Sequence, residues 1–258
     1  MPGSMKAKFT IRNEVKVTVA VLGLLALIAF TERNQAGHLC RDISIHLVNH
    51  QENHYLDEAD VLHLLTKANP HIRGLAFDKI NFKQIETRLE YDRHIHDAQA
   101  YKDLKGNLVV RVALRRPVAR IVQADAPDAY VAHDGVIMGV ADNYNSRVLL
   151  ISGPFAARLA QAQNVQDVPG GDQLLRMIEY IRQDRFWNAQ IAQVDIAAEG
   201  KIILFPQVTG QRVEFGRPDD FEEKLRKLMI FYKEILPQRG WTRYSRVNLE
   251  YDGQIIAE

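Results

Sequence analysis

LVVRVALRRPVARI (residues 108–121) is the stretch on which the fold turns. Its first half is an apolar run, and AQAYKDL (residues 98–104) before it alternates in polarity. Lys105-Gly106 between the two runs is a hairpin signal, so a pair of antiparallel strands is expected. Pro117 then closes the pairing, because it has no amide hydrogen to give to a ladder. One module ends here and another begins.

Upstream, CRDISIHLV (residues 40–48) alternates, with Ile43, Ile45 and Leu47 on one face, and reads as a strand. LDEADVLHLLTKA (residues 56–68) carries Leu56, Ala59, Leu62 and Leu65 at helical spacing, with Asp57 as cap and Glu58 and Asp60 in the first turn. NFKQIETRLEYD (residues 81–92) sets Phe82, Ile85 and Leu89 on one helical face behind Asn81 as cap. Strand, helix, helix, strand, strand over residues 40–117 predicts an α+β module with two helices on one face of a three-stranded sheet.

Downstream, residues 118–258 change character. Short strand candidates (VARIVQ, AYVAHDGVIMGV, RVLLISG, IAQVDIAA, GKIILFP, QRVEFG) are divided by turn residues such as Asp134-Gly135 and Glu199-Gly200. Two helices interrupt them. GDQLLRMIEYIRQD has Leu174, Leu175, Ile178 and Ile181 as its stripe; PDDFEEKLRKLMIFYKEILP has Phe221, Leu225, Leu228, Tyr232 and Ile235, with Asp219 and Glu222 spaced as a capping box. A mostly antiparallel sheet with helices on one face is expected. The Ala/Gln-rich segment at residues 152–171 has no assigned element.

VKVTVAVLGLLALIAF (residues 15–30) is the one long apolar run. At about 1.5 Å per residue it covers roughly 24 Å of a hydrocarbon core about 30 Å thick. Snorkelling by Lys16 and extension through Thr31 bring a helix over 15–31 to a plausible span in contact with membrane lipid. Lys6, Lys8, Arg12 and Lys16 face only Glu14, which puts residues 1–14 in the cytoplasm, with 32–39 as a linker and the rest outside. A cleaved signal peptide is the competing reading, but no small-x-small site follows Phe30, and His38-Leu39 before Cys40 does not suit a lipoprotein signal.

Composition narrows the function. The 258 residues are 47% hydrophobic and 25% charged, with 33 Lys+Arg against 32 Asp+Glu. That near-neutral balance gives no support for a nucleic-acid binder. A single cysteine, Cys40, makes no internal disulfide and reads as a packed thiol. His46, His50 and His54 lie four apart, yet Glu52 is one position late for the H-E-x-x-H zinc pattern and the stretch reads as strand and loop. RHIHD (residues 93–97) reads as a polar turn. No nucleophile elbow, phosphate loop or metal-ligand spacing occurs, so no enzyme, no metal and no cofactor are expected.

RVNLEYDGQIIAE (residues 246–258) alternates again: Val247, Leu249 and Tyr251 against Asn248, Glu250 and Asp252. Two readings stay open. The strand lies inside its own sheet, or it lies at an edge whose free backbone groups accept a partner's strand. In the second, Val247, Asn248, Leu249, Glu250, Tyr251, Asp252, Gly253, Gln254 and Ile255 form the partner-binding segment. Tyr251 is then the anchor, because a large ring with a polar tip suits an interface centre. Gly253 would allow close approach of a second backbone.

Taken together, the chain resembles the FtsQ/DivIB cell-division family. INFKQIETRLEYDRHIHDAQAYK is similar to that family's second helix and following strand, and LVVRVALRRPVARI to the junction between its POTRA and β domains. YVAHDGVIM resembles its hairpin, VEFGRPDDFEEKLRKL its strand-to-helix turn and VNLEYDGQIIA its terminal strand. Leu150 and Glu250 depart from the pattern, standing where a proline and a basic residue are common. The resemblance implies a single-pass protein of the cytoplasmic (inner) membrane, concentrated at the division septum. It implies a non-enzymatic scaffold that binds FtsB, FtsL and other division proteins, and through them regulates septal peptidoglycan synthesis. The rival is a POTRA-type chaperone or translocation module that takes extended polypeptides at a sheet edge.

Overall fold

The structure, a computed structural model, describes residues 18, 20–27, 39–49, 55–68, 70–141, 145–208 and 210–258. The expected cytoplasmic stub lies outside these, as do the linker before Leu39 and parts of the expected span. Residues 20–27 are helical, with Leu22, Leu24 and Leu27 exposed. Among the described residues no helix is long and apolar enough to cross a membrane.

The first sheet is built from β1 (Ile43–Leu47), β2 (Ile95–Lys102) and β3 (Leu108–Leu114), in the order β1-β3-β2. β3 pairs antiparallel with β2 across the Lys105-Gly106 turn and parallel with β1. That turn is fixed by Gly106 at φ 83° and by the Asp103 carboxylate, which accepts the amide hydrogens of Lys105 (2.9 Å) and Asn107 (2.7 Å). Two helices lie between β1 and β2 in the chain, α1 (Glu58–Ala68) and α2 (Phe82–Glu90). Their starts follow the sequence signals. Asp57 and Asp60 accept each other's amide hydrogen at 2.8 and 3.0 Å, and the Asn81 side chain accepts that of Gln84 at 3.0 Å. α1 is rolled from the expected face: Val61 and Leu65 are its buried pair, and Ala59 is exposed.

The second sheet has nine strands. They are β4 (Pro117–Ile121), β5 (Ala129–Ala132), β6 (Ile137–Gly139), β7 (Leu149–Ser152), β8 (Ile191–Ile196), β9 (Ile202–Pro206), β10 (Arg212–Gly216), β11 (Arg246–Asn248) and β12 (Ile256–Ala257). The order is β12-β11-β10-β9-β8-β7-β4-β5-β6, with five antiparallel pairings and three parallel ones. The parallel pairs explain helices that the sequence reading missed. Parallel strands need a long crossover, and β7 reaches β8 through α3 (Pro154–Gln161), α4 (Gly171–Gln183) and α5 (Arg185–Gln190). The expectation of two helices is thus corrected by α3 and α5. A second helical crossover, β10 to β11, runs through α6 (Phe221–Ile230), a π-helical stretch at Phe231–Ile235 and α7 (Leu236–Arg239), while β4 reaches its parallel neighbour β7 through β5 and β6. Pro237 cannot donate to the carbonyl four residues back and its ring would crowd it, so the wider π turn just upstream absorbs the misfit.

The crossover helices share one core with the sheet: Ile151, Val194, Leu204, Val213 and Val247 pack with Leu159, Ile178, Leu225 and Tyr232. On the opposite face Tyr130, Ala132 and Met138 pack with Tyr55 at the β5–β6 end, and polar side chains cluster between β7 and β8. There Ser152 donates to Asp195 at 2.6 Å, and Gln193 donates to Ser152 at 2.8 Å.

Side chains of the turn before β2 join the two sheets. Arg93 donates to the Ile137 carbonyl at 3.2 Å, and His94 Nε2 lies 3.2 Å from the Gly139 carbonyl. Arg115 donates to Asp134 at 2.7 Å and to the carbonyls of Arg93 and Ile95. The Tyr55 ring meets Tyr130 edge-on at 5.6 Å. The amide of Ile137 donates to the Gln163 carbonyl at 3.0 Å, so the β6 rim of the nine-stranded sheet is covered.

Candidate docking edge

The far rim of that sheet belongs to the hairpin β11–β12. Val247 pairs with Val213 of β10 on one side and with Ala257 of β12 on the other. This corrects the expectation of one continuous terminal strand over residues 246–258. β11 is occupied on both edges, the chain turns at Tyr251–Gly253, and β12 is the outer strand. The signal that would have found the turn is Asp252-Gly253, since a glycine at positive φ (Gly253, 68°) is what a tight reversal asks for.

The nine residues expected to bind a partner therefore divide. Val247 and Leu249 are fully buried in the core, and Asn248 is partly covered, donating to Glu214 at 2.9 Å. Glu250, Tyr251, Asp252, Gly253 and Gln254 are exposed, and Ile255 is half-buried against the core. Burial of a side chain the size of Leu249 contributes about 1.5–3 kcal/mol, so the buried members hold the rim in place and the exposed ones face outward. Ile256, 40% exposed, and Ala257 form the rim itself and were missing from the expected segment.

Pairing geometry decides which backbone groups point outward. Arg246 and Glu258 exchange both backbone hydrogen bonds, at 3.1 and 2.9 Å. Antiparallel pairs alternate between bonded and non-bonded, so Ala257, opposite Val247, turns its N–H and C=O away from β11.

Side chains pin this arrangement. Arg246 clasps Glu214 through two nitrogens at 2.7 and 2.8 Å and reaches Glu258 at 3.2 Å. The bond from Arg246 holds the Glu214 carboxyl below the usual carboxylate range. Lys201 pairs with Glu250 at 3.2 Å, and Lys227 donates to the Tyr251 carbonyl at 2.9 Å. A side chain at Gly216, which has φ +75°, would come within 2.9 Å of Glu250.

No group of three or more metal-ligating side chains occurs among the described residues. His46 sits in β1 beside Ser44 at 3.2 Å, while His50 and His54 lie outside the described residues.

A family model described as FtsQ/DivIB, C-terminal related, matches residues 116–258, and a POTRA-like domain model matches residues 38–113. The chain belongs to the FtsQ/DivIB family. A comparison with curated proteins returns no match. Membership gives this FtsQ/DivIB chain a role in cell division, in a family of generally non-enzymatic, membrane-anchored scaffolds. Its strand-helix-helix-strand-strand unit is a POTRA-like domain, and its nine-stranded sheet is the C-terminal family unit.

Proposed function

We propose that this chain is a non-enzymatic divisome scaffold which binds FtsB and FtsL-type proteins outside the cytoplasmic membrane, and so helps recruit and regulate septal peptidoglycan synthesis. Residues 1–14 lie in the cytoplasm, 15–31 cross the lipid, 32–39 link, and 40–117 and 118–258 stand outside as POTRA-like and β domains. The protein gathers at the septum.

The observation that supports docking most is the outward-facing backbone of Ala257 on an outer strand whose inner neighbour, β11, is held by Glu214 and the core. A partner strand laid along β12 gains main-chain hydrogen bonds for affinity and alternate side-chain contacts for register. Tyr251, 55% exposed at the turn, anchors it, with Gln254 and Ile256 beside it. Replacing Tyr251 by lysine is expected to abolish capture of FtsB while thermal unfolding stays unchanged; undiminished FtsB pull-down by Y251K removes Tyr251 from the site.

A further inference from the structure

Next to the junction between the two sheets lies a cavity of about 280 Å³, walled by Arg116, His133, Ser146, Glu179 and Arg182. Three of these five side chains are cationic or can become so. Arg182, on α4, is partly buried and spends one N–H on the Pro117 carbonyl at 2.6 Å, leaving the rest of its five donors. The Arg116 side chain makes no hydrogen bond or ion pair among the described residues. His133 contributes its ring to the wall, with its Nδ1 buried and without a hydrogen-bond partner. Glu179 shares the wall but forms no ion pair with either arginine.

Such a set is unfavourable as it stands. Burial pushes the Arg182 guanidinium down from its ordinary value, and the neighbouring charge of Arg116 adds to this, against a smaller opposing effect of Glu179. Burial likewise lowers His133, with His96 and Arg116 repelling its proton and Asp134 and Glu179 favouring it. Two guanidinium groups lining one space are complementary to a compact anion with several acceptor oxygens.

We propose that this cavity binds a small oxyanion, a phosphate or carboxylate group, between the guanidinium groups of Arg116 and Arg182, with the His133 ring in the wall beside them. Ser146 closes the polar wall. A water occupies about 30 Å³ of liquid, so the space admits such a group and part of whatever carries it. Binding there also bears on the junction, because the amide of His133 donates to the Arg116 carbonyl at 3.0 Å and the next residues along, Arg115 and Asp134, form the ion pair between the sheets.

The test uses the full chain, titrated with inorganic phosphate and, separately, with acetate, against sodium chloride at matched ionic strength. Calorimetry measures binding, and NMR follows the His133 ring. Saturable binding of either oxyanion is expected, with an upward move of the His133 pKa and a loss of about tenfold or more in affinity in Arg116→Gln. That variant leaves the Arg182–Pro117 bond and the fold in place. The stronger of the two probes identifies the carrier chemistry. A response no greater than that of chloride, or one undiminished in R116Q, overturns the assignment.

Discussion

Leu249 illustrates how one residue can carry a function in sequence and another in space. Its alternation with Glu250 reads as part of a partner-binding strand, yet its side chain is fully buried among core residues. Leu249→Ala should therefore cost about 2–5 kcal/mol of stability in a denaturant titration; a variant as stable as the parent would place the side chain at a surface. Alternation was legible because both a core contact and a docking contact demand it. Which of the two applied was set by the turn at Asp252-Gly253, a local signal outweighed by the apolar pattern around it. Two histidines make the same point about titration. Burial disfavours the charged form of His94, but its bonds to Asp92 (3.0 Å) and the Gly139 carbonyl outweigh this and raise its pKa. His133 is lowered, chiefly by burial. The stability that His94 contributes is present below its unfolded pKa near 6.5 and lost as pH rises through its raised folded value. That of His133 has the opposite sign, present above about 6.5 and lost as pH falls through its lowered folded value. In an NMR titration from alkaline to acid, His94 should take its proton before His133, and the reverse order would contradict the contacts at the junction.

At the scale of elements, β12 is a two-residue strand with a large consequence, because it moves the open rim outward by one strand. Ala257→Pro tests this directly. Its N–H points away from β11, so proline there leaves the hairpin paired while removing the donor a partner strand would use. Stability is expected to change by no more than about 0.5 kcal/mol, with FtsB capture lost; retained capture would show that the rim is not read through its backbone. The strand-helix-helix-strand-strand order was readable because caps at Asp57 and Asn81 and the Lys105-Gly106 turn are all local. The crossover helix α3 was not. Its Ala/Gln-rich run between Gly153-Pro154 and Gly170-Gly171 looks like punctuation, whereas Pro154 begins the helix and Phe155, Ala156 and Leu159 pack it down. What demands a helix there is the parallel pairing of β7 with β8, a long-range fact that no window of sequence contains.

For the whole molecule, the junction between the sheets sets how the POTRA-like unit and the β12 rim are disposed. The RHIHD stretch, which reads as a polar turn, runs into β2 at Ile95 and supplies Arg93 and His94 to β6 and His96 to Asp134. Arg115, from the interrupted stretch at the centre of the sequence, ties both sides. Desolvation raises the Asp134 carboxyl, but the Arg115 bond and charge overcome this and hold it low. Arg115→Ala should loosen the relative orientation of the two units in residual dipolar couplings and cost about 1–3 kcal/mol, with each sheet's own hydrogen-exchange protection retained; unchanged couplings would deny Arg115 that role. β6 is sealed by the junction, whereas β12 is the outer strand and is paired on one side only. Amide hydrogen exchange at Ala257, measured with and without FtsB, addresses the proposed docking at β12 most directly. Strong protection of this amide on FtsB binding is predicted, and an amide that exchanges equally fast in the complex would contradict strand addition at β12.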